Sequence, residues 1–350
     1  MSRILYCDYL FQSGNICVDK QLLGVLCKNN QVTALTSPER IDILPNLTII
    51  DKPFYRYKKG KIKNMFRIIK IMINSAKYAN KLKPDLVFVS VYETRLFWIA
   101  RFLINKKIPI AILENINVDM LDKRLYYKLY KMYCNKVYHY VYEDYIGDYL
   151  TNVIGVKKSL VFTVAHPYYM LADSKIDLDL QYIAYDAIAI SGSNDENFIK
   201  EMVELETKTS FLKNNNIRLL VKSKTLSFND GFLIVEDAHF SNEEYEYYYD
   251  KCKLVLAPFP IEYRYRMSGC LVDSFSHNKK VVATKFMLAV EYEKKYNGIV
   301  KTIKTADELF ESLLCEESIN FDSLGRFKND HSLQKIESQL NHSFKSIIKN

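Results

Sequence analysis

No stretch of this 350-residue sequence stays apolar and uncharged long enough to cross a bilayer. Its first residues, "MSRILYCDYL", are too short and too polar for a secretory leader and read as a strand. Cysteines spaced C-x-x-C are also missing. The seven present (7, 17, 27, 134, 252, 270 and 315) are odd in number and dispersed. That usage predicts reduced, buried thiols in a cytoplasmic protein and argues against structural zinc. No G-x-G-x-x-G follows the first strand, which argues against a dinucleotide-dependent oxidoreductase. No G-x-x-x-x-G-K-[ST] occurs, which argues against a P-loop nucleotidase. No D-x-D triplet follows a strand; "DLD" at 177–179 sits in a connection, so no metal is expected.

What is present reads as α/β. Hydrophobic residues make up 49% and charged residues 26% of the chain, a soluble globular composition. Its length favours two domains. Strand-like runs (3–10, 31–36, 46–51, 85–91, 108–115, 136–142, 159–167) alternate with helix-like ones (15–29, 61–83, 93–107, 122–134, 143–155). This rhythm predicts a parallel sheet covered on both faces. The register breaks at 168–184, an acid-bearing connection, and restarts with strands at 185–193, 217–223, 231–237, 253–260 and 299–304. Ser241 with Glu244 three residues on predicts a capped helix start. The expectation is two Rossmann-like doubly wound domains, 1–167 and 185–330. A helix within 331–350 is expected to pack back toward the first.

Charge is uneven. The net charge is +8, and from Lys52 to Pro84 there are eleven Lys and Arg and no acid. On the helix there, Met65, Ile69, Met72, Ile73 and Ala76 are expected to bury. Ile62 and Phe66 then lie at the edge among Lys63, Arg67, Lys70 and Lys77. A second basic, tyrosine-rich run is "KRLYYKLYKMY" at 123–133. Lysines beside aromatics suit an anionic membrane surface. Basic–aromatic surfaces also bind nucleic acid, but no nucleic-acid motif accompanies these segments, so a membrane partner is preferred.

The stretch "YRMSGCLVDSFSHNKKVVAT" (265–284) places basic residues and Ser268-Gly269 before a helix, which leads into a β-branched run. A helix N-terminus offers unpaired N–H groups and partial positive charge, which suits phosphate. Gly269 allows close backbone approach, and Arg266 adds fixed charge. Asp273, about one turn inside the helix, can accept hydrogen bonds from sugar hydroxyls. Gly192 and Ser193 in "ISGSND" and Lys222 in "VKSK" end two other strands of the same domain. Together they describe a site for a phosphate-linked polyol at the carboxyl edge of a sheet.

On these residues the chain resembles a GT-B glycosyltransferase. It is similar in particular to the large retaining GT4-like family, glycosyltransferase group 1, that includes many bacterial polysaccharide enzymes. In that family a helix reading roughly E-A-x-A-x-G-x-P-V-V-A follows the donor-phosphate loop. Here "DSFSHNKKVVA" (273–283) has its length and its V-V-A ending. The resemblance puts the family's donor-binding carboxylate on Asp273. Three positions depart from the pattern. Tyr265 stands where the family has an earlier Glu, Asn278-Lys279-Lys280 replaces Gly-x-Pro, and the usual Arg near 190–195 is missing.

The resemblance implies transfer of a sugar from a nucleotide-diphosphate donor, with no further cofactor, to a glycan acceptor, expected to be lipid-linked. The setting would be bacterial surface-polysaccharide assembly on the inner face of the cytoplasmic membrane. Donor binding is expected from Gly192, Ser193, Lys222, Ser268, Gly269 and Asp273, with Arg266 at the diphosphate. Ser13, Gly14 and Asn15, after the first strand, would pass the acceptor. Glu114 is the acid expected to serve if a general base is needed; otherwise it is a helix cap or a surface acid. His166 reads as a structural histidine. The alternatives are a sugar-nucleotide epimerase of the same fold and a catalytically degenerate subunit that binds a partner transferase.

Overall fold

A computed structural model describes residues 1–10, 16–55, 60–168, 183–314 and 318–349. Ser13, Gly14 and Asn15 and nearly all of the 168–184 connection lie outside the described residues. The chain divides into two compact units. One contains Met1–Pro167, Tyr265–Met267 and His331–Asn350; the other contains Tyr168–Arg264 and Ser268–Asp330.

The first unit carries β1 (Ser2–Asp8), β2 (Asn30–Leu35), β3 (Leu47–Ile50), β4 (Leu86–Val91), β5 (Ile110–Glu114), β6 (Tyr138–Val141) and β7 (Val161–Thr163). Their order is β3-β2-β1-β4-β5-β6-β7, and every pairing is parallel. Every residue of β4 and β5 is buried, as a sheet covered on both faces requires. The strand order reverses between β1 and β4.

The second unit carries β8 (Ala187–Ala189), β9 (Leu219–Lys222), β10 (Phe228–Asn229), β11 (Leu233–Glu236), β12 (Leu254–Ala257), β13 (Lys280–Thr284) and β14 (Val300–Ile303). Their order is β10-β11-β9-β8-β12-β13-β14. All pairings are parallel except the β10–β11 hairpin, turned at Gly231 with φ 91°. Here the order reverses between β8 and β12. Both units are thus doubly wound and Rossmann-like, the expected α/β architecture.

The first core is rich in tyrosine, and each buried hydroxyl needs a partner. Tyr9 Oη lies 2.9 Å from Ser75 Oγ, and Asn74 donates to Tyr55 Oη at 2.7 Å. Tyr140 Oη lies 2.6 Å from Ser343 Oγ, on the last helix, Leu333–Lys349. On that helix Phe344 packs edge-on to Phe88, and Glu337 accepts from Lys28 and Asn29. The second core gathers Ile199, Met202, Leu219, Val221, Leu256, Leu309 and Phe310 from strands and covering helices.

Several local features depart from expectation. On the helix Lys61–Leu82 the buried residues are Arg67, Ile68, Ile71, Met72, Ser75, Ala76 and Ala79, so Met65 and Ile73 face outward, and Arg67, expected at the basic edge, is buried and donates to Leu10 O at 2.9 Å. The phase is set by small residues where the helix meets the sheet, with Ser75 bonded to Tyr9. The helix expected over 93–107 is only Phe97–Leu103. Glu93 accepts from Leu96 N and pairs with Arg95, which holds a turn before it. Asn80 then takes Asn105 N after its extended C-cap, Ile104. The helix Asn242–Lys251 does start with a capping box from Ser241 and Glu244. Among the described residues no helix is long and apolar enough to cross a membrane.

Candidate functional site

In an open α/β sheet, ligands bind beyond the carboxyl ends of strands where the strand order reverses. In the second unit that point lies between β8 and β12. The loops leaving β8, β9 and β12 are tied together there by the protein's own polar groups. Asn194, after β8, donates to the carbonyls of Ala189 (2.6 Å) and Lys222 (2.9 Å). Asp195 N donates to Pro258 O, just past β12, at 2.7 Å. The Asp195 carboxylate caps the helix Glu196–Thr209 through Asn197 N. Glu196 accepts from Ser223 Oγ, from Lys224 N at 2.9 Å and from Thr225 Oγ1 at 2.7 Å. These bonds tie the three loops to one another, and such ties lower the ordering cost of binding.

Gly192 and Ser193 lie on the first of these loops, with Ser193 N donating to Ser191 Oγ at 3.1 Å. Ser268 caps the helix Gly269–Ser276, its Oγ accepting from Leu271 N, and is itself buried. Its hydroxyl therefore organises the helix start. A methyl group added at Gly192 or Gly269 would meet no protein atom within 4 Å. Both glycines are exposed, so the space beside them is solvent-filled and sterically unobstructed. Lys222 places its ammonium 5.9 Å from the Phe240 ring, which stands edge-on to Tyr248.

Asp273 is half-buried on the helix Gly269–Ser276. Its Oδ2 accepts from Tyr245 Oη at 2.8 Å. Burial pushes its carboxyl up to about 6, against the pull of the Tyr245 hydrogen bond and of His277. It therefore ionises close to neutrality rather than well below it.

Arg266 falls elsewhere, in the tripeptide Tyr265–Met267 that belongs to the first unit. Its Nε donates to the Asp119 carboxylate, which also accepts from Tyr265 N. The Tyr265 ring stacks on Tyr149 at 3.9 Å. Gly192, Ser193 and Lys222 thus stand at the ends of β8 and β9, and Ser268, Gly269 and Asp273 at and inside the start of the helix that follows β12. Arg266 is placed with Asp119.

Glu114, at the end of β5, is fully buried. Oε2 accepts from Tyr92 at 2.7 Å and Oε1 from Tyr130 at 2.8 Å. His139 Nδ1 lies 2.8 Å from Oε1, and His139 Nε2 donates to Cys134 O at 2.7 Å. A carbonyl only accepts, so Nε2 carries a proton. A second proton must then lie between Nδ1 and Oε1, as an imidazolium–carboxylate pair or a neutral pair. Both Glu114 oxygens are engaged within this network. His166 is buried, its Nδ1 donating to Pro167 O at 2.9 Å, and burial pushes it down to about 3. It stays neutral.

Three further groups carry no sequence motif. Asp8, at the end of β1, and Asp19 are both buried, Asp19 bonded to Tyr6 Oη and Asp8 paired with Arg40 at 3.3 Å. A lone acid between Val18 and Leu22 on an apolar helix face was the available signal for Asp19. Asn194 and Glu196 act on backbone groups, which leaves no pattern in sequence. Tyr245 is one of four tyrosines within "YEYYYDK", and only the fold singles it out.

No protein-family model matches the chain, and neither does any curated protein sequence. Solved structures do match. Sucrose-phosphate synthase from Thermosynechococcus elongatus (tll1590) superposes with a TM-score of 0.70 at 12% identity over 100% of both chains. HepE from Anabaena (Alr3699), in complex with UDP-glucose, gives 0.67 at 11% identity over 99% of this chain and 100% of that one. UDP-N-acetylglucosamine 2-epimerase from Rickettsia bellii gives 0.62 at 14% identity over 100% and 97%. At these identities the likeness establishes the fold, which is that of the GT-B glycosyltransferases.

Proposed function

We propose that this protein is a glycosyltransferase that moves a sugar from a nucleotide-diphosphate donor to a glycan acceptor. One observation carries the reading. In a GT-B fold, the switch-point edge of the second unit combines two open glycines, a helix N-terminus capped by Ser268, and Asp273. The N–H groups at Gly269 and the helix dipole suit the diphosphate, Lys222 adds charge, and Asp273 accepts from donor hydroxyls. These groups stabilise the leaving diphosphate by fixed charge and need no metal. Retention of the anomeric configuration follows the resemblance. Arg266, two residues before Ser268, adds charge at the diphosphate by exchanging its bond to Asp119. Glu114, enclosed by Tyr92, Tyr130 and His139, serves the first unit's core, and the leaving diphosphate itself takes the acceptor proton.

The acceptor side is read as membrane-borne. On the helix Lys61–Leu82, Ile62 (70% exposed), Phe66 (64%) and Met65 face solvent beside Lys63 and Lys70. On the helix Arg124–Lys131, Leu125 and Tyr127 are exposed beside Lys128. This suits peripheral binding to the cytoplasmic leaflet and a lipid-linked glycan of surface-polysaccharide assembly.

The test is turnover. Release of nucleoside diphosphate from a nucleotide sugar should require an acceptor, survive EDTA, and vanish in both Asp273→Ala and Arg266→Ala. Full activity in both variants would refute the site. Conversion of the donor without acceptor would favour the second reading, an epimerase, for which the likeness to the Rickettsia bellii enzyme speaks.

A further inference from the structure

The side chain that reaches Asp273 comes from a neighbouring helix, Asn242–Lys251. That helix is anchored at its start by the Ser241–Glu244 capping box, which fixes where Tyr245 stands. The Tyr245 ring is packed against Tyr249, with centroids 4.8 Å apart. Its hydroxyl has one proton, and a carboxylate only accepts, so that proton goes to Asp273 Oδ2 at 2.8 Å. Tyr249 Oη lies 3.3 Å from Tyr245 Oη. Tyr249 itself continues to Cys270 Sγ at 3.6 Å and does not bond Asp273.

We propose that Tyr245 is a positioning residue for donor binding: by occupying Oδ2 it fixes the Asp273 carboxylate, keeps it ionised, and leaves Oδ1 for the donor's hydroxyls. This rests on the reading of Asp273 as the donor-binding acid. The other groups that bear on Asp273 are known. Glu246, on the same helix as Tyr245, raises its carboxyl, and His277, on its own helix, lowers it. His277 is held at both ring nitrogens, 2.8 Å from Asp273 O and 2.9 Å from Glu246 Oε2. The Tyr245 hydrogen bond is the strongest influence that favours the ionised form.

The sign of the pH effect follows. Burial has pushed Asp273 up to about 6, so ionised Asp273 is lost as pH falls through that value. Removing a hydrogen bond to the charged form raises the carboxyl further. Tyr245→Phe should therefore move the acid limb of donor binding upward by about one pH unit, weakening binding about threefold at pH 6.5 and up to about tenfold below pH 6. At pH 8.5, where both forms are ionised, most of that difference should disappear.

The experiment titrates donor affinity from pH 5 to 9 in the full chain. The probe is whichever of UDP-glucose, GDP-mannose, ADP-glucose and CMP-sialic acid binds most tightly. Wild type, Tyr245→Phe, Tyr249→Phe and Asp273→Asn are compared, each checked for an unchanged unfolding midpoint at pH 8.5. The expected result is an upward shift in Tyr245→Phe, none in Tyr249→Phe, and weak, pH-flat binding in Asp273→Asn. If Asp273→Asn loses affinity while Tyr245→Phe keeps the wild-type profile, the inference fails and the site stands. If no probe binds, or Asp273→Asn binds as wild type does, the donor-site reading fails and the inference with it.

Discussion

Replacing Glu114 by Ala removes the acceptor around which a buried network of the first unit closes. Tyr92 and Tyr130 lose their hydrogen-bond partner, and His139 Nδ1 loses the carboxylate 2.8 Å away. Tyr130 Oη can still turn to His139 Nδ1 at 3.1 Å, so two of the three groups recover a partner in each other. A buried hydrogen-bonding group left unpaired costs about 1–3 kcal/mol and the cavity left by the side chain adds to it, so the loss should be about 2–4 kcal/mol. Glu114→Gln keeps one acceptor and should cost about 1–3 kcal/mol. The chain's single tryptophan, Trp98, packs against this same core, so its fluorescence follows unfolding of the first unit. Urea titration should show the midpoint falling by about 1–2 M in Glu114→Ala, for a slope of roughly 2–3 kcal/mol per M. A shift below a few tenths of a molar, accompanied by lost turnover, would refute the structural role and return Glu114 to the chemistry as a base.

Two other perturbations test separate parts of the account. Phe66→Asp places a charge on the exposed face of the basic helix. It should abolish co-flotation with vesicles containing anionic lipid at low salt while leaving donor binding intact, and flotation equal to wild type would remove the membrane surface. His166 is held neutral down to about pH 3, whereas an unfolded histidine protonates near 6.5. The unfolded chain thus binds an extra proton below pH 6.5. Stability should fall by up to about 1.4 kcal/mol per pH unit on acidification, and His166→Gln should flatten that slope. An unchanged slope would show that His166 contributes nothing to acid sensitivity.

The sheets were legible because parallel strands buried on both faces read as continuous apolar runs, as in "LVFVSV" and "IAILE". Helix phase was less so. On Lys61–Leu82 the apolar residues outnumber one face, and the fold chose the stripe through small Ser75, Ala76 and Ala79. The short strand β10 and the helices Met287–Lys295 and Phe321–Asp330 lie between stronger patterns and carry no clear signal of their own. In the candidate site, the strand-end glycines and Asp273 are legible as positions because helix starts after strands have a fixed place in this topology. Tyr245, Asn194 and Asp119 are not, because each acts through a partner distant in sequence. Asp119 and Arg266 are separated by 147 residues. Glu114 was found for its place at a strand end, but only the fold shows both its oxygens enclosed by tyrosines and histidine.

The central claim, a nucleotide-sugar donor site on the second unit, is tested most directly by ligand-observed NMR. UDP-, GDP-, ADP- and CMP-sugars are presented to the purified full chain and to Asp273→Ala. The account predicts saturation of one nucleotide's protons, with the sugar and ribose signals weakened by the substitution. No saturation across the panel, or saturation indifferent to Asp273, would contradict it.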